Sequence, residues 1–215
     1  LFWPGATAQI SLSWMKCICI GRNYGKHALE LGNDLPNEPV VFLKPESALL
    51  PAGELIQLPA FSQDVHHEIE IVLKLARPAR NVSREQALSL IQECTVGLDL
   101  TARDLQNELK RKGLPWEKAK AFDGSAVVGT FVSFSSDEGP LSLELKKNES
   151  TVQSGVSSDM IFSFAEIISH TSAFFSLEQG DLIFTGTPEG VGPIASGDQL
   201  QGYLNQRLLL DIAVS

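Results

Sequence analysis

His66-His67-Glu68-Ile69-Glu70-Ile71-Val72-Leu73 decides how this chain reads, because polar and apolar residues alternate there with the period of a β-strand. Successive strand side chains point to opposite faces, so Ile69 and Ile71 can enter a core while Glu68 and Glu70 converge on the other side. Two carboxylates so placed are hard oxygen ligands of the kind Mg2+ takes, and one more acid would complete a site. Asp99 is the candidate: it lies in Thr95-Val96-Gly97-Leu98-Asp99-Leu100-Thr101, an apolar run ending where a helix should begin. The same residues also fit a solvated acidic strand face with Asp99 as a helix cap, and spacing alone leaves both readings open. His66 shares the face of Glu68 and Glu70 and His67 faces away, so both read as supporting or structural groups.

Length and charge narrow the classes of function. A chain of 215 residues with 43% hydrophobic content can bury a sizeable core in one domain, expected over residues 15–215 with 1–14 as an N-terminal extension. A net charge of -9 repels phosphate backbones and anionic lipid surfaces, so neither nucleic acid nor a membrane is an expected partner. Cys17, Cys19 and Cys94 cannot all pair, and no second Cys or His pair completes a zinc set, so a reducing, cytoplasmic setting is expected. Residues 1–14 contain Pro4 and Gly5 and lack an early basic residue, which supports neither a signal peptide nor a membrane helix.

The remaining punctuation gives the order of elements. A strand through Cys17 and Cys19 is followed by a short helix at 27–31, and strands are expected at 40–43 and 56–58. Ser83-Arg84-Glu85-Gln86 fits a capping box opening a helix to Cys94, and Thr101 is the expected cap of a helix over 102–112 that Gly113 and Pro115 stop. Further strands are expected at 129–134, 141–146, 182–185 and 207–213, with a helix over 164–175. Strands without regular helix alternation argue against a doubly wound nucleotide fold and for a strand-rich α+β class. The glycine-rich segments at 21–27 and 185–192 lack the spacing or the Lys-Ser/Thr pair of a phosphate loop.

Several segments together resemble the fumarylacetoacetate hydrolase family, in its short single-domain branch of acylpyruvate hydrolases and oxaloacetate decarboxylases or tautomerases. They are Gly21-Arg22-Asn23-Tyr24 with His27 and Glu30, Phe42-Leu43-Lys44-Pro45, His67-Glu68-Ile69-Glu70, and Asp99-Leu100-Thr101-Ala102-Arg103-Asp104 with Gln106. Gly113-Leu114-Pro115-Trp116, Lys118-Ala119-Lys120-Ala121-Phe122-Asp123 and Thr185-Gly186-Thr187-Pro188-Glu189-Gly190-Val191-Gly192 continue the resemblance in the same order. Val127 stands where the pattern has a proline, and the separate amino-terminal domain of the larger members is not expected here, so fumarylacetoacetate is not the expected substrate.

The resemblance implies a mixed β-sandwich roll with peripheral helices, a homodimer, and a Mg2+-dependent enzyme, with Mn2+ as the alternative ion. It implies Glu68, Glu70 and Asp99 as metal ligands, Lys120 facing the enolate of a chelated small 2-oxo acid, and Arg103, Gln106 and Thr187 on the substrate. His27 and Glu30, three residues apart, can share a helix face, where the carboxylate would orient an imidazole that activates water. The expected reaction is C–C hydrolysis of acylpyruvates or decarboxylation of oxaloacetate. Keto–enol isomerisation is the alternative within the enzymes, and a non-catalytic metal-binding module is the alternative outside them.

Overall fold

The computed structural model describes residues 15–25, 35–51 and 53–215. The extension 1–14 and the expected helix bearing His27 and Glu30 lie outside the described residues. In chain order the strands are β1 (Cys17–Gly21), β2 (Val40–Lys44), β3 (Leu49–Pro51), β4 (Val65–His67), β5 (Ile69–Leu75), β6 (Ile91–Asp99), β7 (Thr101–Ala102) and β8 (Ala126–Val128). They continue as β9 (Val132–Ser133), β10 (Ser142–Lys147), β11 (Ser150–Val156), β12 (Leu182–Phe184), β13 (Gly192–Pro193), β14 (Gln199–Leu204) and β15 (Arg207–Ala213). The helices among the described residues are α1 (Arg84–Ala87), α2 (Arg103–Lys112), α3 (Glu117–Lys120) and α4 (Phe164–Phe174).

A large mixed sheet runs β2-β1-β12-β5-β6-β8-β3, with β9 added on β6; β1 and β12 are parallel, as are β3 and β8. A smaller antiparallel sheet runs β11-β10-β14-β15, and a third, β13-β4-β7, bridges the loops near Glu68. The main core lies between the first two: Ile18, Ile69, Ile71, Val96 and Leu98 from one, Leu143, Leu145, Leu200 and Ile212 from the other. This is a strand-rich α+β fold in which the large mixed sheet curls around a core.

Alternation decides what lies on the other face. Cys17, Cys19, Val72 and Phe184 form a second apolar cluster there, and Glu70 shares the parity of Val72 on β5. Glu70 pairs across the strands with Gly97, and Asp99 N–H donates to Glu68 O at 2.9 Å. A Cβ on Gly97 would lie 2.6 Å from Val127 O and 2.8 Å from Val72 Cγ2, so only glycine lets β5, β6 and β8 close here.

Three local expectations give way to tertiary contacts. The helix expected through Cys94 stops at Ala87, passes through a 3-10 turn and becomes β6 at Ile91, because Ile91, Cys94 and Val96 are needed in the core. Ser83 makes no side-chain cap; the capping box forms at Ser163 and Glu166, at the start of α4. Only Ile56 of the expected strand 56–58 pairs, as an isolated bridge to Val214. Val127, where the family pattern has a proline, is buried in β8 opposite Leu98.

Candidate metal and substrate site

Glu68, at the break between β4 and β5, Glu70 on β5 and Asp99 at the end of β6 are all buried. One ligand oxygen from each lies within 4.8 Å of the others, a spacing suited to one cation. β5 and β6 set two of these positions by register, and the Asp99 N–H to Glu68 carbonyl bond fixes the third.

Three basic side chains close on the acids. Lys120, at the end of α3, donates to Glu68 Oε2 at 2.8 Å, Asp99 Oδ2 at 2.6 Å and Thr101 Oγ1 at 2.7 Å, which uses all three of its N–H groups. Burial would lower its pKa, but Asp99 and Glu68 outweigh that and raise it. Arg103 pairs with Glu68 through Nη2 and donates from Nη1 to Gln106 Oε1 at 2.6 Å, so the two lie on one face of α2 as their spacing predicts. Lys44, on β2 and wholly buried, donates to Lys120 O, to Ser125 O at 2.9 Å and to Ser125 Oγ at 3.0 Å. Its Nζ also lies 2.8 Å from Asp99 Oδ1 as an ion pair, without the alignment of a hydrogen bond.

The donor set fits a divalent cation. Asp99 Oδ1 is a buried carboxylate oxygen that Lys44 meets by charge and no group meets by hydrogen bond, which leaves its lone pairs to an ion. Glu70 receives Gly186 N–H at 2.7 Å but no contact from a basic side chain among the described residues. Burial first, then the charge of Asp99, pushes its carboxyl well above the usual range, the signature of an acid short of positive charge. Buried oxygens from carboxylates are the ligands Mg2+ and Mn2+ take.

The loop at 185–192 closes one side of the cleft. Gly186 has φ +100°, and a Cβ there would lie 2.6 Å from Asn23 Cβ, so glycine alone allows its N–H to reach Glu70. Asn23, fully buried, staples this loop by donating to Thr185 O at 2.8 Å and Phe162 O at 3.0 Å. Thr187 lines the cleft and accepts from Gln153 Nε2 at 2.9 Å, which leaves its own hydroxyl proton for another acceptor. Gln153 Oε1 meets His67 Nδ1 at 2.8 Å, so His67 supports the loop through Gln153, while burial lowers its pKa. His66 turns out of the cleft to Asp64 at 2.8 Å, because the strand breaks at Glu68 and alternation no longer carries across.

The structure thus gathers the sequence candidates Glu68, Glu70, Asp99, Lys120, Arg103, Gln106 and Thr187 around one cleft. Thr101 is not the helix cap expected; it lies on β7 and accepts from Lys120, and Ala102 holds the cap position. Sequence reasoning gave no role to Lys44 or Gln153. A lysine inside the apolar strand Val40–Lys44 was the available signal for the first, since lysines are rarely buried without partners. Gln153, in an exposed-looking strand, carried none.

Comparison with known proteins agrees with this geometry. Residues 16–211 match the family model of the fumarylacetoacetate (FAA) hydrolase C-terminal domain, and the chain belongs to that family. It is 41% identical over 201 residues to oxaloacetate tautomerase YcgM of Escherichia coli K12, covering 92% of this chain and 91% of that one. It is 42% identical to the mitochondrial oxaloacetate tautomerase FAHD1 of Bos taurus, with 97% of each chain covered. The fold also matches fumarylpyruvate hydrolase from Pseudomonas aeruginosa in complex with Mn2+ and pyruvate, at a TM-score of 0.86 and 35% identity over 100% of this chain and 99% of that one. Enzymes of this family thus include tautomerases and hydrolases similar to this chain over nearly its whole length.

Proposed function

We propose that this chain is a divalent-metal-dependent enzyme of small 2-oxo acids and that it interconverts the keto and enol forms of oxaloacetate. The observation that carries this reading is the Lys120 ammonium shared between Glu68 and Asp99, beside Glu70, in a cleft lined by Arg103, Gln106 and Thr187. The similarity to oxaloacetate tautomerases over more than nine-tenths of the chain favours isomerisation over bond cleavage.

Glu68, Glu70 and Asp99 would hold Mg2+ or Mn2+, which when bound supplies a Lewis acid for the 2-oxo group. The protein's own groups do the rest. Loss of a C3 proton places negative charge on the C2 oxygen, and the Lys120 ammonium, preorganised by its carboxylate contacts, stabilises it. Gln106, held by Arg103, and the Thr187 hydroxyl, oriented by Gln153, fix the substrate carboxylate. Lys120 donates all three protons and is not the base; His27, which the family resemblance pairs with Glu30, is our candidate to move the C3 proton. We further propose a homodimer and a cytoplasmic setting, testable by sedimentation and by cell fractionation.

A second reading, C–C cleavage, is favoured by the similarity to fumarylpyruvate hydrolase. Acylpyruvate hydrolysis needs a water activated by His27 and Glu30, whereas oxaloacetate decarboxylation needs none. Proton NMR of oxaloacetate and acetylpyruvate in deuterated buffer, with Mg2+ and with chelator, separates the readings. Accelerated deuterium entry at C3 of oxaloacetate without pyruvate formation supports the tautomerase. Metal-dependent pyruvate formation in its place would move the assignment to cleavage.

A further inference from the structure

The cleft holds two cations that the triad and its partners leave over. The inner carboxylates of Glu68, Glu70 and Asp99 are matched in number by Lys44, Lys120 and Arg103. A dication at the triad therefore leaves these six side chains with an excess of two positive charges. Arg22 and Lys110 line the same cleft and add to that excess, and neither has a carboxylate partner among the described residues.

Both are placed there at a cost. Arg22 sits at φ 59°, the left-handed region that a bulky residue seldom occupies, at the turn leaving β1. Lys110, on the last turn of α2, is drawn down over the Trp116 ring, 5.4 Å from its centroid, and Trp116 meets Phe42 edge-on at 6.3 Å. This position takes the ammonium out of water and toward Arg103, Arg22 and Lys120, which hold its pKa down to about 8. Like charges gathered beside an aromatic wall, without an acid to neutralise them, form an anion site.

We propose that Arg22 and Lys110 form a second carboxylate subsite at the rim of the cleft, which selects 2-oxo dicarboxylates over 2-oxo acids lacking the distal charge. The 2-oxo acid end lies at Glu68, Glu70 and Asp99, which is where this assignment rests on the function proposed above. The distal carboxylate then meets Arg22 and Lys110, and its charge together with that of the head-group carboxylate offsets half of the four-charge surplus that the ion, Arg22 and Lys110 create. Trp116 and Phe42 wall the chain between the two ends and keep water from screening the pair.

The test compares oxaloacetate with its 4-methyl ester, which keeps the 2-oxo acid end and removes the distal charge. Affinity is read as KM and, independently of turnover, as Kd by calorimetric titration of the Mg2+-loaded protein. Wild type should prefer the diacid, and Lys110→Met should reduce that preference by about tenfold or more, the size expected for one close charge pair. Lys110→Arg should restore most of it, and Arg22→Asn, which suits the left-handed backbone, should reduce it as Lys110→Met does. No preference for the diacid in wild type, or a preference unchanged in both variants, overturns the subsite. Binding that discriminates in this way without any turnover keeps the subsite and rejects the reaction proposed above instead.

Discussion

The Lys44 ammonium lies 2.8 Å from Asp99 Oδ1 and yet does not hydrogen-bond to it. Its protons hold the Lys120 carbonyl and Ser125, so one buried lysine fixes the segment carrying Lys120 while lending only its charge to the metal-ligand candidate. Removing that charge leaves Asp99 with Lys120 as its one remaining ion-pair partner among the described residues and frees the Lys120 segment at once. Lys44→Met should lower stability by about 3–5 kcal/mol, the cost of breaking a buried ion pair from one side. Urea unfolding measures this, and a loss near zero would mean that the contact with Asp99 is incidental.

Divalent ions should stabilise the folded chain through Glu68, Glu70 and Asp99. At a free Mg2+ or Mn2+ concentration of 100 times Kd, the gain is about 2.7 kcal/mol, lost on chelation. Asp99→Asn and Glu70→Gln should remove most of it. Thermal unfolding with and without chelator reads the difference.

Glu70 gives the stability a definite dependence on pH. Its folded pKa is raised well above 4.5, so above 4.5 the folded, metal-free chain binds more protons than the unfolded one. Stability from this carboxyl is therefore present at low pH and declines as pH rises toward the raised value. Metal binding competes with the proton, so with the ion in excess the same group adds stability as pH rises. Denaturation at a series of pH values, in chelator and in Mg2+, should give opposite trends from this group, and Glu70→Gln should show neither.

Lys110 acts in the other direction. Its pKa is lowered to about 8 by burial and then by Arg103, Arg22 and Lys120, with Glu68 opposing. As pH rises through about 8 the ammonium is lost, so KM for oxaloacetate should climb there, and Lys110→Arg should move the climb to higher pH. For folding the sign is opposite: between about 8 and 10.5 the unfolded chain holds the extra proton, so stability from this group increases with pH.

Gly186→Ala should disturb site and fold together. The substitution strains a φ of +100° and presses on Asn23, costing about 1–3 kcal/mol, and it moves the N–H that Glu70 accepts. Chemical denaturation and Mn2+ titration of the same variant should show both losses.

Much of the site was legible in the sequence because it rests on short-range rules. Strand alternation pointed to Glu68 and Glu70 as a pair, although the structure holds Glu68 at a strand break through the Asp99 N–H bond, and helical spacing put Arg103 and Gln106 together. Ordered motifs along the chain supplied Asp99, Lys120 and Thr187. What stayed hidden depends on contacts far apart in sequence. Lys44 meets the Lys120 carbonyl 76 residues on, and Gln153 meets His67 across 86 residues. The helix expected to reach Cys94 failed for the same reason, since the core required a strand where local spacing favoured a helix. His66 shows how a single strand break at Glu68 cancels a parity argument two residues away.

The central claim is that Glu68, Glu70 and Asp99, with Lys120 across them, act on oxaloacetate with a bound divalent ion. The most direct measurement follows the decay of enol-oxaloacetate by ultraviolet absorbance, for wild type and Glu70→Gln at matched free Mn2+, with a chelated control and a protein-free blank. The account predicts acceleration over the blank in wild type, abolished by the chelator and by Glu70→Gln although circular dichroism shows that variant folded. Acceleration that persists in chelator, or in Glu70→Gln, would contradict it.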